Sequence, residues 1–156
     1  MQVNNLNMND PSSSSPPGRV AGVDYGTVRI GVAITDPERK IASPCENYTR
    51  RGKDQDARFF KEFARQHKIT LFIVGLPVHM SGDESQKSKE ARVFGAWLAE
   101  VTEVPVRFFD ERFSSRFADE LMAGAHLTAK KRKERRDKLA AYVVLSEWLE
   151  SVESGV

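Results

Sequence analysis

Apolar residues along the chain fall into short blocks of two kinds. Val20-Ala-Gly-Val-Asp24 is a brief β-compatible run; after Tyr25-Gly-Thr-Val28 a second, Arg29 to Thr35, alternates Ile30, Val32 and Ile34 with Gly31 and Ala33. Period-two patterning on either side of a short turn predicts two strands of a hairpin. A third strand is expected within Ile41 to Tyr48. From Asp54 to Lys68 the period changes to that of a helix, with Phe59, Phe60, Phe63, Ala64 and His67 forming one stripe suited to packing on a sheet. Leu71-Phe-Ile-Val74 is continuously apolar, as expected for a central strand covered on both faces. Ser81 to Val101 reads as a helix with Ala91, Phe94, Leu98 and Val101 inward, and Val104 to Asp110 as another strand. A helix capped by Ser114 or Ser115 and carrying Phe117, Ala118, Leu121 and Met122 follows, then a last one from about Arg135 to Leu149. The order βββαβαβαα predicts an α/β fold, an antiparallel meander leading into βαβ units, so that a mixed five-stranded sheet is flanked by helices.

Outside these blocks, residues 1–18 are rich in Asn, Ser and Pro and hold too few apolar groups to offset the entropy of ordering, so a flexible tail is expected there. The folded part is expected to span residues 19–150, with 151–156 a flexible end. At 156 residues the chain suits one domain. The single Cys45 cannot form an internal bridge and fits a reducing compartment. No apolar run approaches the roughly 18 residues of a membrane span, and the first 18 residues lack both the basic and the apolar parts of a signal peptide. A soluble, cytoplasmic protein without a membrane partner is expected.

Charge changes the picture once it is located. The total is only +2, but residues 129–138 hold seven basic residues against Glu134 and Asp137, a local net of +5 that leaves −3 for the rest. This is the pattern of a local phosphate-binding patch, or of a solvated loop and helix start.

Three carboxylate positions sit where packing alone would not put them. Asp24 ends the first strand on the side of Val20 and Gly22. Asp110 and Glu111 end the last strand. Asp137 shares a helical face with Ala140, Ala141, Val144 and Trp148, a face that should meet the sheet. An ionised carboxylate there is costly unless paired or bound to a cation. Strand ends on one edge of an α/β sheet are where sites form, and converging carboxylates suit a hard divalent cation, Mg²⁺ or Mn²⁺. Each acid also has a purely structural reading: a turn acid at Asp24, a pair with Arg112 for Glu111, a pair with Lys133 or Arg136 for Asp137. The three histidines are scattered, one cysteine cannot build a zinc site, and neither a P-loop nor a G-x-G-x-x-G motif occurs.

Four blocks resemble the YqgF family of the ribonuclease H-like superfamily, which also contains Holliday-junction resolvases of the RuvC type. They are Gly22-Val-Asp-Tyr-Gly-Thr-Val-Arg-Ile-Gly-Val-Ala-Ile-Thr-Asp36, Val74-Gly-Leu-Pro-Val-His-Met-Ser-Gly82, Asp110-Glu-Arg-Phe-Ser-Ser115 and Asp137-Lys-Leu-Ala-Ala141. The resemblance implies a ribonuclease H-like fold and a metal-dependent nuclease acting in 5′-end maturation of precursor 16S ribosomal RNA, with nucleic acid and ribosomal precursor particles as partners of a monomer or weak dimer. It puts the catalytic and metal-binding acids at Asp24, Glu111 and Asp137, choosing Glu111 over Asp110. In that reading Gly26 lets backbone approach a phosphate, and Arg29, Lys130, Lys131, Arg132, Lys133 and Arg136 grip flanking phosphates without sequence choice. Rival expectations are a DNA junction resolvase with the same acids, and a nucleic-acid-binding or transcription-associated module without catalysis. Asp24-Tyr-Gly-Thr27 also resembles the phosphate loop of actin-like and sugar-kinase-like ATPases, but those use two such domains and this chain has room for one.

Overall fold

The structure is a computed structural model. It describes residues 17–77, 85–110 and 129–153, and within 129–138 and at Glu153 the backbone alone. The described elements are β1 (Arg19–Asp24), β2 (Arg29–Thr35), β3 (Ala42–Thr49), α1 (Lys53–His67), β4 (Ile69–Leu76), α2 (Gln86–Thr102), β5 (Val106–Asp110) and α3 (Ala129–Glu153). The sheet order is β3-β2-β1-β4-β5. β1 pairs antiparallel with β2 and β2 with β3, whereas β1, β4 and β5 run parallel. This is the expected mixed five-stranded sheet, with β1 in the middle and β4 interior beside it.

Strand alternation sorts the core into two layers. Ala21, Val23, Ile30, Val32, Phe72 and Val74 face α1 and α2, meeting Phe60, Phe63, Phe94 and Leu98. Val20, Ala33, Leu71 and Ile73 face the other way, onto Ala141, Val144, Leu145 and Trp148 of α3. The near-continuous apolar runs of β1 and β4 follow from having helices on both sides. Gly22 lets α3 come close: a Cβ there would stand 2.8 Å from the Leu145 Cβ and 3.0 Å from the Ala141 carbonyl oxygen.

Element ends differ from the periodicity where local bonds decide them. α2 begins at Gln86, not Ser81, because Ser85 is extended and its hydroxyl accepts the Ser88 N–H at 3.0 Å, the geometry of an N-cap. β5 begins after Pro105, which has no N–H for the ladder and offers only its carbonyl, to the Phe72 N–H at 2.9 Å. α3 begins at Ala129, six residues before the expected Arg135, and runs to Glu153, so Ser151 to Glu153 belong to a helix and not to a loose end. Pro17 and Gly18 are tied to the fold as well, their carbonyls accepting from Thr70 Oγ1 and Arg39 Nε. The helix expected from Ser114 or Ser115 lies outside the described residues, as do residues 1–16 of the expected tail. No described helix is long and apolar enough to cross a membrane.

Candidate active site

Asp24 is the last residue of β1 and half-buried. Period two puts it on the side of Val20 and Gly22, the α3 face, and its register partner is Gly31. Arg29 and Ala33 share the Gly31 face, and Ala33 belongs to the α3-side core, so the half-buried Arg29 stands on the same side of the sheet as Asp24. Asp110 ends β5, exposed and paired with Leu76, and its charge reaches Glu147 of α3. Glu111 lies outside the described residues.

Asp137 lies in α3 one turn before Ala141, and the Ala141 carbonyl closes on Gly22, two residues before Asp24 on the same face. One helical turn is about 5.4 Å and two strand residues about 6.8 Å, so the backbone brings α3 near the acidic end of β1. The Asp137 side chain is outside the described set, as are those of Lys130, Lys131, Arg132, Lys133 and Arg136. Their backbone is helical. Further along α3, burial pushes the Glu147 carboxyl above its ordinary pKa, with Glu150 and Asp110 adding to it.

Residues 24–29 and the start of α2 enclose a cleft of about 510 Å³, lined by Asp24, Gly26 and Arg29 and by Gln86, Lys87 and Glu90 of α2. Gly26 has a structural reason to be glycine: a Cβ there would stand 2.3 Å from the Arg29 carbonyl oxygen. Among the described residues no three His, Cys, Asp or Glu groups are placed to hold a metal ion. What is described of the site suits a hard cation, since Asp24 lines an open cleft that, among the described residues, no imidazole or thiol lines.

The loop after Asp24 is braced in a way that the sequence reading missed. The Tyr25 hydroxyl accepts from Arg50 Nη1 at 3.0 Å, the Arg50 guanidinium lies 5.4 Å from the Tyr25 ring centre, and the Arg50 N–H donates to the Val28 carbonyl at 2.9 Å. Arg50 Nε in turn donates to Asp56 Oδ2 at 3.1 Å. Asp56 is only 1% exposed, and its Oδ1 also accepts from the Tyr48 hydroxyl at 2.7 Å and the Arg51 N–H at 2.9 Å. Burial alone would raise the Asp56 pKa, but the bonds from Arg51, Tyr48 and Arg50 outweigh it and hold the carboxyl below its usual range. Burial, and then the bond to Asp56, push Tyr48 up to about 12. One signal for this was present in the sequence: Asp56 sits four residues before Phe60, on the inward stripe of α1.

Comparison with known proteins places the chain in a family. A model of the RuvX family, described as Holliday junction resolvase, matches residues 18–151. A Rhodopirellula baltica protein named "Putative pre-16S rRNA nuclease" is 48% identical over 134 residues, covering 86% of this chain and 78% of its own. A Koribacter versatilis protein of the same name is 36% identical over 143 residues, covering 92% of each. Among solved structures, Thermus thermophilus RuvC in complex with a Holliday junction substrate superposes with a TM-score of 0.54 at 14% identity, covering 88% of this chain and 96% of that one. The Fowlpox virus resolvase in complex with Holliday junction DNA gives 0.54 at 11%, covering 86% and 98%. At such identities the likeness is one of fold, the ribonuclease H-like sheet and helices. With a family match across residues 18–151 and a relative 48% identical over 134 residues, the chain belongs to the RuvX (YqgF) family of nucleases.

Proposed function

We propose that the protein is a metal-dependent hydrolase of phosphodiester bonds whose substrate is the 5′ end of precursor 16S ribosomal RNA. The observation that carries this reading is the position of Asp24, at the end of the middle strand, in an open cleft and on the face that α3 covers. Asp24, Glu111 and Asp137 are the residues that would hold one or two Mg²⁺ or Mn²⁺ ions, which when bound supply an activated water and stabilise the leaving oxygen. Arg29 and Lys87 stand where they can meet phosphates entering the cleft.

The basic start of α3 supports a polyanionic substrate. The first turn of α3 holds no acidic residue, and a helix N-terminus is already partly positive, so piling Lys130, Lys131, Arg132 and Lys133 there costs stability until an anion arrives. Lys130, Lys133 and Asp137 fall on one side of the helix by spacing, which would align phosphate grips with the third acid. The names of the two relatives favour RNA.

The description of the family model favours a second substrate, a four-way DNA junction. Incubating the full chain with Mg²⁺ and either single-stranded RNA spanning the 16S 5′ end or a four-way DNA junction, followed by end analysis, separates the two. The expected products are RNA fragments with 3′-hydroxyl and 5′-phosphate ends. Cleavage of the junction with RNA left intact would overturn the RNA assignment; cleavage of neither would return the protein to the non-catalytic alternative.

A further inference from the structure

A second cleft, of about 340 Å³, lies beside that of Asp24, and Tyr25, Gln86 and Glu90 line both. Its apolar wall is made by the exposed Val93 and the half-buried Tyr25 and Trp97, with Phe94 buried behind them. The rings are fixed by one another: Tyr25 and Phe94 are 4.9 Å apart, Phe94 and Trp97 5.6 Å, and the Trp97 indole meets Phe60 edge-on at 6.3 Å. Val93 is 71% exposed, although it stands next to a half-buried indole. Leaving flat apolar surface open to water is unfavourable, and no residue of the described chain covers this valine. Arg50, Lys53 and Lys89 also line the cleft, against Glu90 as the one acid among the described residues.

Aromatic surface bordered by cations is the chemistry that holds single-stranded nucleic acid, with bases stacked on rings and phosphates on Lys or Arg. A base-paired duplex presents no free base face to such a cleft, whereas an unpaired strand does. We propose that this cleft binds one unstacked base of single-stranded RNA, belonging to a nucleotide that flanks the phosphodiester at Asp24, with Lys53 and Lys89 on the adjoining phosphates. The inference rests on the nuclease reading of the Asp24 cleft, because the shared wall of Tyr25, Gln86 and Glu90 is what makes the bound base a neighbour of the bond cut.

The test is an abasic scan. Single-stranded RNA oligonucleotides that each lack one base near the cleaved bond are titrated against the full-length Asp24→Asn protein by fluorescence anisotropy, and are digested by the unmodified protein in parallel. One abasic position is expected to weaken binding roughly tenfold, within the range of a single base–aromatic stack. Val93→Glu, an exposed change that leaves the core alone, and Trp97→Leu are each expected to weaken binding of intact RNA by a similar factor and to erase the abasic penalty. Cleavage by the unmodified protein with no position-dependent penalty would overturn this inference and leave the Asp24 reading standing. A penalty that Val93→Glu erases, in a protein that cuts no RNA, would support the base site and overturn the Asp24 reading. If Val93→Glu changes the oligomeric state and not RNA binding, the face belongs to a second copy of the chain and the inference fails.

Discussion

Asp56 shows what one buried charge does for the site. It joins Arg50, Tyr48 and the Arg51 N–H, and through Arg50 it fixes Tyr25 and Val28 on the loop that leaves Asp24. Because the folded-state pKa of Asp56 is depressed, its stabilisation is present above the ordinary carboxylate value of about 3.9 and is lost as pH falls through the lower folded value. Urea titrations from neutral to acid pH are expected to show the wild type losing more stability than Asp56→Asn; equal losses would contradict the network. At neutral pH, Asp56→Ala, which leaves Arg50 and Tyr48 without their partner, should cost about 3 kcal/mol. Tyr48 works at the other extreme. Its raised pKa means that its contribution is complete below about pH 10 and lost as pH rises toward about 12, a loss that Tyr48→Phe should not show. The same denaturant titrations carried to alkaline pH check this.

The elements were legible where periodicity carries the information. The hairpin of β1 and β2, the Phe stripe of α1 and the doubly covered β4 all follow from alternation and helical spacing. Their ends were not, since the Ser85 cap and the stop at Pro105 are decided by single bonds and not by pattern. The early start of α3 was hidden for another reason: seven cations in ten residues carry no apolar stripe for a helical period to appear in. Within the candidate site, the side of Asp24 could be read from period two, but the Arg50–Tyr25 brace could not, because it joins residues 25 positions apart. How closely α3 approaches β1 is likewise a tertiary fact. Gly22→Val is expected to force α3 outward against Leu145 and the Ala141 carbonyl, destabilising the fold by about 1–3 kcal/mol. Differential scanning calorimetry checks it, and an unchanged melting temperature would contradict the close packing.

In the whole molecule, one sheet edge carries Asp24 and the adjoining cleft while a strongly basic helix lies over the same face, on a chain that is otherwise slightly acidic. That separation of charge predicts salt-dependent capture of RNA. Neutralising Lys130, Lys131 and Arg132 together should lower the slope of log affinity against log salt by about 2, given roughly 0.7 per phosphate contact on single strands; an unchanged slope in binding titrations would remove the helix from the interface. The account as a whole stands on Asp24 as the acid at the reacting phosphate. The most direct measurement is Mg²⁺-dependent RNA cleavage by purified Asp24→Asn, with RNA binding measured alongside. Turnover is expected to fall by about 100-fold or more, the several kcal/mol that a metal-assisted transition state supplies, while affinity for RNA stays within a few-fold. Undiminished cleavage by the variant would contradict the account.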